Sequence, residues 1–286
     1  MENTLTVSHL TKTYKDFTLD DVSFQVPRGS ICGLIGENGA GKTTAISAML
    51  NIITPDSGDI RILDMDYRED EKKIKQRVGV VLDELNQIPH LYCKDIDTIM
   101  KKIYTSWDSR LFFQYLENFK LPQKKKVKEL SKGMNVKLNF AVALSHNAEF
   151  LILDEATSGL DPVMRDDILQ LLQEFVLDEN HSVLLSTHIT SDLDKIADYI
   201  IFMHEGNIQF IKSKEDIENN YGVLQCRNDF FEALSPDDYC AYIKEEYSVK
   251  VLVHHKQELL RHFQDLVIER ASIEDIMLFY IKGVII

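Results

Sequence analysis

The chain has 286 residues, a net charge of −14 and 44% hydrophobic residues. This length suits one large α/β domain with a small addition, and the apolar content is sufficient for a buried core, which excludes a disordered chain. The excess of acids argues against non-specific binding to nucleic acid or anionic lipid as the main task. The basic cluster Lys124–Lys126 with Lys128 is better explained as a solvated segment.

Cysteine usage and hydropathy indicate a cytoplasmic protein. The cysteines are Cys32, Cys93, Cys226 and Cys240. They lack the spacing of a metal site or redox pair, and no signal peptide precedes them, so we expect reduced thiols. The nearest approach to a long apolar run, within 276–286, is short and interrupted by Lys282. We therefore expect contact with a membrane only through another polypeptide, at the inner face of the cell membrane.

The first fifty residues predict a strand, a second strand and a helix. Residues 22–26 alternate apolar and polar side chains, as in an antiparallel strand with one buried face, and a turn follows at 27–29. The apolar run Ile31–Ile35 predicts a buried strand, and residues 43–51 predict a helix.

A complete phosphate-binding loop, G-x-x-x-x-G-K-[ST], connects that buried strand to the helix. Its residues are Gly36, Glu37, Asn38, Gly39, Ala40, Gly41, Lys42 and Thr43, and Thr44 follows. The glycines allow backbone N–H groups to surround phosphates, Lys42 would neutralise the β- and γ-phosphates, and the Thr43 hydroxyl would reach Mg²⁺. Since strand, loop and helix occur in the required order, a chance glycine turn is a poor explanation.

From about 85 to 148 the apolar spacing is helical, which predicts a helical subdomain inserted before the next strand. Its aromatic side chains have the spacing of core packing rather than of a cofactor site. Within it, Ser131, Gly133 and Met134 stand at the start of a predicted helix of about 134–147. A helix N-terminus carries about half a positive charge and unpaired N–H groups, so it suits a phosphate.

Two adjacent carboxylates, Asp154 and Glu155, end the predicted strand 151–153. One carboxylate can serve a metal while the next polarises a water molecule. Asp161 before Pro162 is typical of a helix N-cap with proline in the first turn. His188 follows another apolar strand.

Beyond these residues, strands and helices alternate, which predicts a mostly parallel sheet. The strands are predicted at 182–186, 199–203 and 208–210, and the helices at 163–177 and 190–197. Residues 223–286 predict a small α+β appendage, with a strand at 249–253 and a near match to a capping box at 272–275 before a helix at 276–281. We place the boundary between residues 1–222 and 223–286, and a packing role for the appendage is favoured over dimer stabilisation or regulation.

Together these motifs resemble the ATP-binding cassette (ABC) family, specifically the nucleotide-binding subunits of transporters, over roughly residues 4–212. The resemblance implies a P-loop NTPase core of the RecA type, an antiparallel β subdomain and the inserted helical subdomain. It also implies that two subunits, identical or closely related, enclose ATP between the phosphate loop of one and the signature helix of the other.

The resemblance assigns roles to individual residues. It implies that Tyr14 stacks on adenine, although a tyrosine after a strand is more often ordinary surface packing. Ser131, Gly133 and Met134 would contact the nucleotide of the partner subunit, and Asp161 lies on the loop that crosses to that subunit. Glu155 would be the catalytic base, and His188 would contact the γ-phosphate. Thr43, Asp83 and Asp154 would hold Mg²⁺.

Several positions depart from the family pattern. Asp83 stands where the family has a glutamine, and it is either a Mg²⁺ ligand or a solvated loop acid. Lys132, Met134 and Ala156 also differ from the usual residues, yet no phosphate ligand is lost. These departures, with the sequence Tyr104–Asp108, resemble a subgroup of Gram-positive cassettes that serve exporters of antimicrobial or cytolytic peptides, such as the phenol-soluble modulin exporter.

The sequence therefore predicts an ATPase that dimerises around ATP and drives a separate integral-membrane permease, with export of a peptide, antibiotic or other amphiphile implied by the resemblance. The alternative is a soluble cassette ATPase acting on DNA or ribosomes. Such proteins usually carry two cassettes or a coiled-coil insertion and often basic patches, whereas this chain has one cassette and a net negative charge. A cassette that binds ATP as a switch and hydrolyses it slowly is disfavoured by Glu155.

Overall fold

The computed structural model of the protein describes residues 2–82, 89–263 and 266–286. In these ranges the strands are β1 (Asn3–Thr13), β2 (Thr18–Pro27), β3 (Ile31–Ile35), β4 (Ser57–Ile62), β5 (Met65–Asp66), β6 (Val78–Leu82), β7 (Phe150–Asp154), β8 (Ser182–Thr187), β9 (Tyr199–His204), β10 (Asn207–Ser213), β11 (Gly222–Cys226), β12 (Tyr239–Lys244), β13 (Val249–Val253), β14 (Ile268–Arg270) and β15 (Val284–Ile285). The α-helices are α1 (Lys42–Met49), α2 (Glu71–Arg77), α3 (Ile96–Ile103), α4 (Ser109–Asn118), α5 (Lys132–Leu144), α6 (Pro162–Phe175), α7 (Thr190–Ile196), α8 (Lys214–Asn220), α9 (Asn228–Phe231), α10 (Lys256–His262) and α11 (Ile273–Lys282).

The central sheet has the strand order β10-β9-β3-β8-β7-β6, and only β10 runs antiparallel to its neighbour. Every residue of β3, β7 and β8 is buried, as expected for parallel strands with both faces covered. The loops that follow these three strands leave the sheet at the same edge, where ligands bind in open α/β sheets. The predicted parallel sheet is confirmed, and its edge determines where the phosphate loop, Glu155 and His188 meet.

A second sheet, β2-β1-β4-β5, is antiparallel. Val22, Phe24 and Val26 are buried on one face of β2, which confirms the alternation seen in the sequence. They share a core with Ala45 and Ile46 of α1, so the sheet packs against the helix that follows the phosphate loop.

Helices α3 to α5 form the inserted helical subdomain and have an apolar core of their own. Phe112 and Leu116 are fully buried in it, which confirms that these side chains are core packing. Helix α5 begins at Lys132 rather than near residue 134, because the Ser131 hydroxyl accepts a hydrogen bond from the Met134 N–H and so acts as the N-cap.

The C-terminal appendage is a five-stranded antiparallel sheet, β14-β11-β13-β12-β15. Ser272 and Asp275 form the expected capping box, and it starts α11 at Ile273, three residues earlier than the sequence pattern suggested. Ile276 and Phe279 of α11 belong to the same core cluster as the central sheet. The division at residue 222 stays a prediction. In the described ranges, no helix is both long enough and apolar enough to cross a bilayer.

One buried histidine lies where the helical subdomain joins the central sheet. His146 is fully buried, its ring stacks on Tyr104 with centroids 4.0 Å apart, and its Nδ1 lies 3.3 Å from the carbonyl oxygen of Gln76. Its Nε2 has no hydrogen-bond partner among the described residues. Burial lowers the pKa of His146 below its usual 6.5.

We expect this histidine to make the fold acid-labile. As the pH falls below about 6.5, the unfolded state takes up a proton that the folded state resists, so the free energy of unfolding decreases until the folded pKa is reached. Chemical denaturation at several pH values should show a weaker acid dependence in His146→Phe, which keeps an aromatic ring, than in the natural chain. If the free energy of unfolding depends on pH equally in both proteins, the prediction is contradicted, and the carboxylates rather than His146 cause the loss of stability in acid.

Candidate active site

The phosphate loop runs from the end of β3 into α1. Gly39 and Gly41 have φ angles of 84° and 112°, a region of backbone conformation that favours glycine. A Cβ atom on Gly39 would meet nothing within 4 Å, whereas one on Gly36 would stand 2.2 Å from the carbonyl oxygen of Met203. The loop is thus packed against β9 on one side and open to a bound group on the other.

Lys42 lies in the first turn of α1 and is almost completely buried. Its Nζ donates hydrogen bonds to the carbonyl oxygens of Gly36, at 2.8 Å, and Glu37, at 3.2 Å. The same Nζ lies 3.4 Å from Glu155 Oε1. The loop carbonyls and one carboxylate therefore compensate this buried cation and fix its direction.

A cleft opens in front of the loop. It is lined by Asp16, Phe17, Asn38, Gly39, Gly41, Lys42, Thr43, Thr44 and Glu155. Most of the lining comes from the phosphate-loop residues singled out in the sequence, and Glu155 reaches it from β7. Gly36, Glu37 and Ala40 do not line it: the carbonyl oxygens of Gly36 and Glu37 accept from Lys42 Nζ, and that of Ala40 accepts from the Gly206 N–H.

The end of β7 places two carboxylates in different surroundings. Asp154 is buried, and its Oδ1 accepts a 2.7 Å hydrogen bond from the Ser186 hydroxyl. Glu155 has a φ of 51°, which is uncommon for a residue with a side chain and frequent at functional sites. The Glu155 N–H donates to the Ser186 carbonyl, so β8 holds both residues in place.

His188 follows β8 and completes a row of three side chains. Its Nδ1 lies 2.7 Å from Glu155 Oε2, and half of its ring faces solvent. The Ile189 N–H donates to the Thr187 hydroxyl, which fixes the turn after the strand. The strands β3, β8 and β7 are neighbours in the sheet. The side chain of Glu155 can therefore contact Lys42 on one side and His188 on the other. Glu155 Oε1 is buried and has no hydrogen-bond partner among the described residues.

The helix N-termini predicted at Ser131 and Asp161 are both present. Asp161 Oδ1 accepts a 3.0 Å hydrogen bond from the Met164 N–H and caps α6, as the sequence predicted. A Cβ on Gly133 would stand 2.3 Å from Met164 Sδ, so α5 and α6 approach each other closely there. None of the described residues lining the cleft belongs to 131–134 or is Asp161. The structure thus does not bring the two halves of the predicted site together in one chain.

Tyr14 also lies outside the cleft lining and is about half exposed, with Lys12 Nζ 5.8 Å from its ring centre. Phe17, three residues further on, lines the cleft instead, together with Asp16. Stacking by Tyr14 stays a prediction. The sequence offered no motif for Phe17, because only the fold shows that the turn between β1 and β2 reaches the phosphate loop. Asp83 lies outside the described residues.

One buried carboxylate, Asp192 of α7, was not singled out in the sequence. Asp192 is 2% exposed, and burial raises the pKa of its carboxyl group, while the Thr157 hydroxyl group and, to a smaller extent, the charge of Arg165 act in the opposite direction. Arg165 belongs to α6, which follows Asp161, and Asp192 belongs to α7, which follows His188.

Comparisons with known proteins agree with this geometry. The family model described as "ABC transporter" matches residues 19–158. The bacitracin transport ATP-binding protein BcrA of Bacillus licheniformis is 33% identical over 211 residues, which cover 73% of this chain and 69% of BcrA. The lantibiotic transport ATP-binding protein SrtF of Streptococcus pyogenes is 30% identical over 218 residues, 75% of this chain and 93% of SrtF.

Solved structures show the same fold. An ATP-binding subunit of an ABC transporter superposes with a TM-score of 0.67 at 25% identity, over 75% of this chain and 91% of that one. A dimeric ATP-binding cassette with ADP and Pi, in a post-hydrolysis state, gives a TM-score of 0.65 at 22% identity, over 73% and 98% of the two chains. The chain belongs to the ATP-binding cassette family and is an ATP-hydrolysing subunit of an ABC transporter.

Proposed function

We propose that this chain binds ATP with Mg²⁺ in the cleft before its phosphate loop and uses hydrolysis to drive an integral-membrane permease that exports a peptide, antibiotic or other amphiphile. The observation that carries the proposal is the row of contacts from Lys42 through Glu155 to His188, at 3.4 and 2.7 Å, beside a complete phosphate loop. A cation, a carboxylate and an imidazole in that order suit the γ-phosphate and the water that attacks it.

The residues fit a bound triphosphate. The open side of Gly39 lets phosphate oxygens approach the backbone, and the N–H groups at the start of α1 point toward them. Lys42 supplies the counter-charge, and Thr43 and Thr44 supply hydroxyl groups at the cleft surface. Tyr14 remains the proposed partner of the adenine ring, with Phe17 as the aromatic side chain that already faces the cleft.

The residues also fit Mg²⁺. Thr43 offers a hydroxyl oxygen at the cleft surface and Asp154 a carboxylate at the end of β7, and Mg²⁺ takes such oxygen ligands together with waters and phosphate oxygens. Thr43 and Asp154 would hold it, with Asp83 as a further candidate, and Ser186 orients Asp154 for that task. When bound, the ion would neutralise charge that develops on the phosphates.

Glu155 is the proposed general base. The Lys42 ammonium and His188 each contact one oxygen of its carboxylate and fix its direction, and Glu155 lines the cleft in which the attacking water would stand. Lys42 and His188 contact different oxygens of Glu155, so His188 would contact the γ-phosphate on the side away from Lys42.

The second half of each site comes from a partner subunit, a second copy or a close paralogue. Ser131, Gly133 and Met134 lie at the start of α5 and Asp161 at the start of α6, and none of the four lines the cleft of its own chain. A helix N-terminus offers N–H groups to a phosphate, so α5 of one subunit can close the cleft of the other.

A groove supports the proposal of a membrane partner. It encloses about 320 Å³ between α1, α2, β6 and the end of α3, and its lining is mostly apolar. Ile52 and Ile103, which line it, are 61% and 52% exposed, an unusual exposure for isoleucine. The groove lies at the C-terminal end of α1, whose other end carries Lys42. A permease segment seated there, at the inner face of the membrane, would follow movements of the phosphate loop.

The names of the relatives support export of a peptide antibiotic, since BcrA and SrtF are named for bacitracin and lantibiotic transport. The alternative of an ATPase acting on DNA or ribosomes has no comparable support. Affinity purification from a mild-detergent extract, followed by mass spectrometry, should recover an integral-membrane permease with this chain. Recovery of ribosomal or DNA-repair proteins instead would overturn the assignment.

We expect Lys42→Ala to abolish ATP hydrolysis and to weaken ATP binding, because the triphosphate loses its main monovalent counter-charge. Phosphate release and titration with a fluorescent ATP analogue measure the two effects. Lys73→Ala, a change at an exposed lysine paired with Asp70, should leave both unchanged. Normal turnover in the Lys42 variant would contradict the assignment of the site.

A further inference from the structure

The segment Tyr104–Asp108 connects α3 to α4 and contacts four different elements. On the side of the central sheet, the Thr105 N–H and hydroxyl both donate to Gln76 Oε1 of α2, at 2.8 and 3.1 Å. Gln76 Nε2 in turn donates to the carbonyl oxygen of Ile103. The Gln76 side chain therefore holds the segment to α2 by two hydrogen bonds from Thr105, and a third bonds α2 to the last residue of α3.

The same segment is fastened to the C-terminal end of α5. The Asp108 N–H donates to the Ser145 carbonyl at 2.7 Å, and the Ser106 hydroxyl donates to the His146 carbonyl. The Tyr104 ring stacks on the His146 ring, with an angle of 8° between their planes. Contacts on both sides make the segment a bridge between α2 and α5.

The remaining contacts fix the bridge within the helical subdomain. Trp107 Nε1 donates to Asp97 Oδ1 of α3 at 2.8 Å, and Asp108 Oδ1 caps α4 by accepting from the Leu111 N–H. Every residue from 104 to 108 thus makes a directed contact, so the segment is held to α2, α3, α4 and the end of α5 together.

The position of this bridge suggests a role beyond packing. Gln76, Ile103 and Tyr104 line the apolar groove, while α5 begins directly after Ser131 and ends at Leu144, two residues before His146. A helix of 13 residues spans about 20 Å, so a tilt of α5 at its signature end would displace His146 at the other. His146 also keeps a buried nitrogen without a hydrogen-bond partner among the described residues, a cost that an apolar ring would avoid.

We propose that the segment 104–108, with Gln76 and His146, is the joint that transmits the position of α5 to the groove. Closure of the partner's nucleotide against Ser131 and Gly133 would tilt α5, and the stacked rings of His146 and Tyr104 would carry this movement to the groove wall. The inference rests on the proposed function, because it requires a permease in the groove. His146 is a positioning residue here and takes no part in the chemistry.

The test compares His146→Leu, which removes the ring stack, with His146→Phe, which keeps it. Each variant is assayed for basal ATP hydrolysis as isolated cassette and for the stimulation of hydrolysis by the reconstituted permease. Basal hydrolysis should be unchanged in both. The stimulation of hydrolysis by the permease should fall about fivefold or more in His146→Leu and be retained in His146→Phe. Fivefold is about the smallest effect that coupled distant sites usually have on each other. Ser106→Ala removes the hydrogen bond from the Ser106 hydroxyl to the His146 carbonyl and should also lower the stimulation by the permease. If His146→Leu does not fold, the test rests on Ser106→Ala.

Two results would contradict the proposal that the segment 104–108 transmits the position of α5 to the groove. One is full stimulation in both His146→Leu and Ser106→Ala. The other is a loss of basal hydrolysis in proportion to the loss of stimulation, which would reveal a purely structural role. Failure of the proposed function is a separate result, because the natural chain itself would then lack ATP hydrolysis or permease stimulation.

Discussion

Replacing Glu155 by glutamine should lower ATP turnover by about 100- to 10,000-fold while ATP still binds, since this is the usual contribution of a general base. The amide keeps the shape of the side chain and can still contact His188, but it cannot take a proton from water. Lys42 loses a carboxylate at 3.4 Å, so its positive charge is more available to the triphosphate. ATP should therefore bind at least as tightly.

Size-exclusion chromatography of the Glu155→Gln protein with ATP should show a persistent dimer, because the closed state can no longer be released by hydrolysis. Glu117→Gln, the same change at an exposed position of α4, should hydrolyse ATP normally and show no such dimer. If Glu155→Gln hydrolyses ATP at the normal rate, another group is the base, and Asp83 or Glu84 becomes the next candidate.

The features that could be predicted best from the sequence are those that depend on residues close to one another in the chain. The phosphate loop is continuous in the chain, and the glycines at 39 and 41 meet a backbone requirement that depends only on neighbouring residues. The parallel sheet followed from alternating strands and helices, and its edge then brings Glu155 and His188 to Lys42. The cap at Asp161 is a local hydrogen bond and was predicted, whereas the cap at Ser131 is equally local but the predicted helix start near residue 134 missed it.

What depends on contacts between distant segments could not be predicted. Phe17 reaches the cleft because the turn between β1 and β2 packs against Gly41, where a Cβ would stand 2.9 Å from the Phe17 ring. The burial of Asp192 depends on the packing of α7 against α6, α11 and β3, which are distant in the chain. The sequence Tyr104–Asp108 was noticed as a resemblance, but its contacts with Gln76 and His146 join parts of the chain that no spacing rule connects.

Two inactive variants should restore one ATP-trapping site when mixed, if each site is shared between subunits. The first carries Lys42→Ala and the second Ser131→Asp, both on the Glu155→Gln background that prevents turnover. Aspartate caps a helix as well as serine does, so α5 should be preserved while a carboxylate faces the γ-phosphate. Ser131 is a better position than Gly133, where any side chain would displace Met164.

Each variant alone should fail to trap ATP, because both of its sites contain one defect. A mixed dimer has one site with both defects and one site with intact Lys42 and intact Ser131, so it should retain one ATP after gel filtration. Ser131→Asn, which caps the helix without a charge, is the matched control and should trap ATP by itself. If a mixture shown to contain the mixed dimer traps no more ATP than either parent, the site is not shared, and α5 must approach the phosphate loop of its own chain.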